Sequence, residues 1–289
     1  MTCRAALALL ALLPAATLAQ PAVSAPAAPE PASPQSTPDP CARWVAPGLE
    51  EGPVALGFFE ADVATGRRVC PRSEAGIGGR LGLTVDTPNF YGAIAGDGLV
   101  FASLAADDRT ELFATFEAVH HQWVQNAVLK GSTTSLGQLT AGASHQTFES
   151  GHWLGATSAR FMLPTSTATP RVAVVGLELG QAVSYRRYDT VELHGYLGAD
   201  VSAGLSAAAS DVRAGLLLNV GAQWSPASSF GLVVDLNDHV GGTATYLAPA
   251  LGLRFRPWRD VGAELDVTLP LAGTDRHDVV AGLRVGTRL

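Results

Sequence analysis

Ala75-Gly76-Ile77-Gly78-Gly79-Arg80-Leu81-Gly82-Leu83-Thr84-Val85-Asp86 is the stretch on which the fold turns. Its odd positions carry Ala75, Ile77, Gly79, Leu81, Leu83 and Val85; its even ones carry Gly76, Gly78, Arg80, Gly82, Thr84 and Asp86. One face is aliphatic and the other small or polar, which is the alternation of a strand lying between two different media. A helix of period 3.6 would spread Arg80, Thr84 and Asp86 around its surface among the leucines.

The pattern recurs. Val191, Leu193, Leu197, Ala199 and Val201 alternate with Glu192, His194, Tyr196, Gly198 and Asp200. Val212, Ala214, Leu216, Leu218, Val220 and Ala222 alternate with Arg213, Gly215, Leu217, Asn219 and Gly221. Twelve such segments are predicted: 75–86, 97–105, 110–124, 134–145, 152–163, 171–186, 190–202, 210–224, 229–238, 244–256, 260–270 and 278–289. An even number brings both ends of a barrel to the same side. The even-numbered gaps are short and turn-rich, as in ADDR (106–109), SPAS (225–228) and PWR (257–259). The longest gaps, within TPNFYGAIAGDG (87–98) and QNAVLKGSTTS (125–135), fall at the other end.

A soluble sandwich or lipocalin-like barrel also alternates, so the question is which face is wet. A soluble barrel needs many Lys and Glu outside, but Lys130 is the sole lysine of 289 residues. Hydrophobic residues make up 47% and charged ones 16%, with 31 glycines, too apolar for disorder and too Gly-rich for a helical bundle. Nineteen basic against 26 acidic side chains leave a net charge of −7, which argues against a nucleic-acid partner. Trp153, Trp224, Phe230, Phe255 and Trp258 sit near strand ends, as in an interfacial girdle. Trp123 lies in the polar register of its segment and requires a bulge or a loop position. The expected fold is therefore all-β: a transmembrane antiparallel up-and-down barrel of about twelve strands.

Residues 1–19 read as a cleaved signal peptide: Arg4, an apolar run from Ala5 to Leu13, then Thr17-Leu18-Ala19. Residues 20–40 are Pro-, Ala- and Ser-rich and read as a flexible tether. Residues 41–74 read as a small periplasmic or plug-like segment containing the apolar VALGFF (54–59), with the barrel proper at 75–289. Cys41 and Cys70 are the two cysteines left after cleavage, and in an exported chain they read first as a disulfide.

The chain closes on HDVVAGLRVGTRL, whose Val279, Ala281, Leu283, Val285, Thr287 and Leu289 share a face. This resembles the terminal strand that bacterial outer-membrane barrels present to the assembly machinery, although the last residue is Leu289 rather than Phe or Trp. Signal, strand pattern and terminal strand together resemble the porin and channel class. That resemblance implies an outer-membrane location with the N-terminal tether and C-terminus periplasmic. Its implied partners are the lipid bilayer, the barrel assembly machinery and small solutes. It implies no cofactor and no enzymatic activity.

The polar register predicts a lumen lined by Arg80, Glu111, Glu117, Arg160, Glu178 and Glu192, then His194, Asp200, Arg213 and Asp235. Arg254, Arg256, Glu264, Asp266, Arg284 and Arg288 complete it, with Asp86, His121 and Asp211 in the same register. Two readings stand: ion pairs filling a closed barrel, or charged rings setting the selectivity of a small-solute channel. A barrel lipid hydrolase is the lesser alternative, with Ser144, His145 and Ser150 of SHQTFES as its nearest residues. Adjacent His120 and His121 point to opposite faces of a strand and cannot share a metal, so no metal site is expected.

Overall fold

The computed structural model describes residues 69–86, 91–125, 130–167, 174–188, 190–205, 212–227, 229–241, 246–258, 260–273 and 278–289. No helix occurs among them. The strands are β1 (Glu74–Asp86), β2 (Tyr91–Ala105), β3 (Thr110–Gln125), β4 (Lys130–Ser135), β5 (Leu139–Ser150), β6 (Trp153–Leu163) and β7 (Val174–Tyr188). They continue as β8 (Val191–Gly204), β9 (Val212–Ala227), β10 (Phe230–Gly241), β11 (Tyr246–Trp258), β12 (Val261–Thr268), β13 (Ala272–Gly273) and β14 (Val279–Arg288).

Two pairs of these segments are halves of one stave. β4 and β5 both lie on β3, with Ser135 opposite His120 and Leu139 opposite Phe116. β12 and β13 both lie on β11, with a break at Pro270. Twelve antiparallel staves result. The first and last pair with each other, Glu74 opposite Arg288 through Leu83 opposite Val279, and the sheet closes into a barrel.

Closure removes every long open edge, and the alternation then decides what each face meets. Ile77, Leu197 and Leu216 point outward with 65%, 62% and 59% of their surface exposed. Their immediate neighbours point into a packed interior. An exposed aliphatic wall around a polar interior is the reverse of a soluble barrel and fits hydrocarbon outside. Trp153, Trp224, Phe230, Phe255 and Trp258 are all outward and exposed at the end that carries the tight turns.

Several sequence expectations are corrected. β2 starts at Tyr91, not 97, because Gly92 to Gly98 pair with β1 despite their weak intrinsic strand preference. β4 likewise starts at Lys130. A bulge at Ala118 sets Gly98 opposite Val119 but Leu99 opposite Glu117, and inverts the parity of the rest of β3. Trp123 is thereby carried to the outward register. His121 is corrected by the same slip: it points outward and bonds Thr134 Oγ1 at 2.7 Å, while His120 turns into the lumen. The bulge faces the break in the β4–β5 stave, where Gly137 lies against the Glu117 side chain. A Cβ at Gly137 would stand 2.1 Å from Glu117 Oε2, so only glycine fits.

Candidate functional site: the barrel lumen

One row of register partners runs Asp266, Gly282, Arg80, Asp97, His120 across β12, β14, β1, β2 and β3. Arg80 donates to Asp97 Oδ2 from Nε at 3.0 Å and from Nη2 at 2.6 Å, and reaches Glu117 Oε1 at 3.4 Å. His120 Nδ1 lies 2.6 Å from the other Asp97 oxygen. On β11 and β12, Arg254 Nε donates to Glu264 Oε2 at 3.3 Å, and its Nη1 donates to Gln223 Oε1.

A second group occupies β6 to β8. Arg160 pairs with Glu178 at 3.6 Å, and the Tyr196 hydroxyl donates to the same carboxylate at 2.7 Å. Arg186 and the Ser184 hydroxyl share Glu192, at 2.6 and 2.7 Å. Each carboxylate thus has more than one donor, the condition under which buried charge is tolerated.

The third group straddles β9. His194 of β8 reaches Asp235 of β10 at 2.5 Å, and Asp200 of β8 reaches His239 of β10 at 2.9 Å. Both straps pass over glycines of the strand between. A Cβ at Gly221 would stand 1.9 Å from Asp235 Oδ1, and one at Gly215 would stand 2.3 Å from His239 Nε2. Between the straps Asn219 donates to Asn237 at 2.8 Å. Glycine in this lumen makes room for side chains that bond across two staves.

β12 differs. Glu264 Oε1, both oxygens of Asp266 and Thr268 Oγ1 are buried without a hydrogen-bond partner. Asp266 and Thr268 are 1% and 0% exposed, so these are four acceptors on one inward face, shielded and unbonded.

The remaining expected residues fall as follows. Glu111 is buried and accepts from the Arg72 amide at 3.0 Å. Arg284 is buried and Arg213 half-buried on the inward face. Arg256 bonds the Trp258 carbonyl at the turn end, and Arg288 is exposed at the same mouth. The side chains of Asp86 and Asp211 lie outside the described residues, as does Cys41. Asp97 and His239 were missed because both stand at expected strand limits. The Asp235, Asn237, His239 alternation was the signal available for the second.

The inner face also carries an apolar patch of Leu154, Ala156, Ala182 and Tyr196, with Leu217 at its border. Val69 and Cys70, which precede β1, pack on it and are buried. Cys70 is disulfide-bonded. The hydrolase residues do not converge: Ser144 faces inward, while His145 faces outward and bonds Thr110 Oγ1 at 3.0 Å. Among the described residues no group of three or more His, Cys, Asp or Glu could hold a metal ion.

No protein-family model and no curated protein matches the chain in sequence. Solved structures do match in fold. The crystal structure of an outer membrane channel from Pseudomonas putida F1 is similar at a TM-score of 0.61 and 13% identity, covering 82% of this chain and 100% of that one. The KdgM porin in complex with disordered oligogalacturonate is similar at 0.50 and 8% identity, covering 74% of this chain and 99% of that one. The chain has the fold of outer-membrane β-barrel porins and channels.

Proposed function

We propose that this barrel is a passive channel for small solutes in an outer membrane. The observation that carries the reading is the open acceptor column on β12. A lumen serving only to fill a barrel gains by bonding every buried acceptor, since each one left open costs about 1–3 kcal/mol. Glu264, Asp266 and Thr268 carry four such acceptors on the inward face, next to the lumen axis that a solute would follow once the side chains move aside. The likeness in fold to channels agrees with this role.

A closed barrel is the second reading, favoured by the ion pairs of Arg80, Arg160, Arg186 and Arg254 that bridge neighbouring staves. Conductance across planar lipid bilayers separates the two. Discrete steps from purified protein are expected; silence over a range of voltage and salt would leave the closed reading alone.

The segment before β1 enters the proposal as a plug. Val69 and Cys70, near its end, sit on the inner apolar patch. A Cys41–Cys70 bridge would hold the preceding chain, including VALGFF (54–59), near that mouth. With the signal at 1–19 removed and the tether at 20–40 in the periplasm, this is the periplasmic mouth. Reduction is expected to raise conductance without unfolding the barrel; unchanged conductance in reduced protein would remove the plug.

A further inference from the structure

The open acceptors of β12 stand beside a gap in the lining of the lumen. At one level of the barrel the register partners are Val233 of β10, Gly252 of β11, Asp266 of β12 and Gly282 of β14. The two glycines differ. Over Gly282 the wall is filled, since a Cβ there would stand 2.5 Å from Asp266 Oδ2. Over Gly252 a Cβ would meet Val233 Cβ at 3.5 Å, and Glu264 Oε1 and the Leu265 carbonyl oxygen at 3.9 Å, all ordinary contacts. A methyl-sized group therefore fits above Gly252, beside a Glu264 oxygen that has no hydrogen-bond partner.

The side chains of β12 that border this gap present acceptors. Glu264, Asp266 and Thr268 occupy inward positions two residues apart, about 7 Å per step along the strand. The neighbouring guanidiniums are turned elsewhere. Arg254 gives Nε to the other Glu264 oxygen and Nη1 to Gln223, and Arg80 is held by Asp97 and Glu117. Arg284, opposite Glu264, leans over Gly78 of β1, where a Cβ would meet its Cγ at 3.2 Å. Apolar contact comes from Val233 and from the buried pair Ala250 and Val280, which flank Thr268 in register. Among the described residues nine buried side chains are Asp or Glu and four are Arg. The half-buried Arg72, Arg186, Arg213 and Arg256 narrow that excess without removing it, so the lumen favours a cation over an anion.

We propose that this gap is a subsite for the cationic head of a small alkylammonium solute. The inference rests on the channel reading and names the class of solute. An ammonium carries three donors and no acceptor, which suits a wall of acceptors. Its alkyl stem has Val233 and the Ala250–Val280 pair to lie against. A divalent metal ion fits less well, because it takes about six oxygens and the column opens four. Rotation of Asp266 away from Gly282 toward Gly252 brings its carboxylate to the gap, which is how a shielded column would meet its solute.

The test uses the full chain in phosphatidylcholine nanodiscs, with methylammonium chloride as the probe and sodium acetate as the anionic control of similar size. Saturation-transfer NMR should show transfer to the methylammonium methyl and none to acetate. Asp266→Asn should weaken binding by roughly tenfold, the loss of one charge-assisted hydrogen bond. Gly252→Ala should weaken it as well by filling the gap. Its Cβ makes only ordinary contacts, so this variant should keep its heat-modifiable barrel migration. Planar bilayers then separate the subsite from the channel: reversal potentials in a methylammonium chloride gradient should favour the cation. A silent barrel that still binds methylammonium supports the subsite and removes the channel reading. A conducting barrel that binds no methylammonium, or acetate equally, overturns the subsite and leaves the channel reading. Binding that neither substitution weakens overturns it too, since the ammonium would then lie elsewhere.

Discussion

The walls around β9 and β12 face the same lumen and carry the same kinds of side chain, yet the first is tied to its neighbours by side-chain bonds and the second leaves most of its acceptors without one. Around β9, His194 and Asp235, and Asp200 and His239, meet across the strand where Gly221 and Gly215 clear their path, and Asn219 of β9 donates to Asn237 between them. On β12, Asp266 lies over Gly282, which leaves it equal room, but bonds no side chain. Space is therefore not the cause of the difference. Bonded groups hold staves together, and their loss should weaken the barrel. Open groups contribute nothing to the closed fold, and their removal should be felt by what passes.

Among the bonded groups of the lumen, the largest loss is expected at Asp97 of β2. Its carboxylate serves both Arg80 and His120 and is itself buried. Asp97→Ala takes the carboxylate at 2.6 Å away from the guanidinium and leaves the longer contact with Glu117 at 3.4 Å. Stripping one partner from a buried pair costs about 3–5 kcal/mol, and that loss is expected in urea unfolding of the detergent-folded protein. A change below about 1 kcal/mol would show that water replaces the carboxylate and that the lumen is wetter than its packing indicates.

Asp266→Asn tests the other side. It removes a buried charge that has no side-chain hydrogen bond, so stability should hold within about 0.5 kcal/mol or rise. Single-channel conductance and cation preference should change instead. The comparison between walls fails if this substitution destabilises as strongly as Asp97→Ala.

Stave number, face assignment and most inward charges were legible because a period of two over ten or more residues leaves little choice. Partners were not, since a strand pattern fixes which face a residue takes and says nothing about its level on the next strand. His239 lay one residue past an expected strand end, and only the pairing of β10 with β9 and β11 brings it to Asp200. The His120 and His121 exchange rests on a single extra residue, Ala118, whose type does not announce a bulge. An outward row of register partners on β3 to β7, Thr110, His145, Thr157 and Gln181, was equally hidden. Thr, His, Thr and Gln are unremarkable in four separate segments and form a feature only when register aligns them.

The smallest effect belongs to the turn end. The connections 189–190, 228–229 and 259–260 are two residues long, while β2 and β3 are joined by four, Ala106 to Arg109. A longer turn has more backbone to satisfy, and Asp107 does it: Oδ1 accepts from the amides of Arg109 at 2.8 Å and Thr110 at 2.7 Å. The Arg109 amide foremost, with the Thr110 hydroxyl and amide and the nearby His145, holds this carboxyl below its usual range. A carboxylate with a depressed folded value stabilises above its unfolded value and loses that contribution as pH falls through the folded one. Asp107→Ala should therefore speed amide exchange at Arg109 and Thr110 by a few-fold near neutral pH, after correction for intrinsic rates. Toward pH 3 the wild type should approach the variant. The side chain is fully exposed, so global unfolding should barely move. A difference that persists unchanged in acid would mean that the turn is held by its strands and that the carboxylate is incidental.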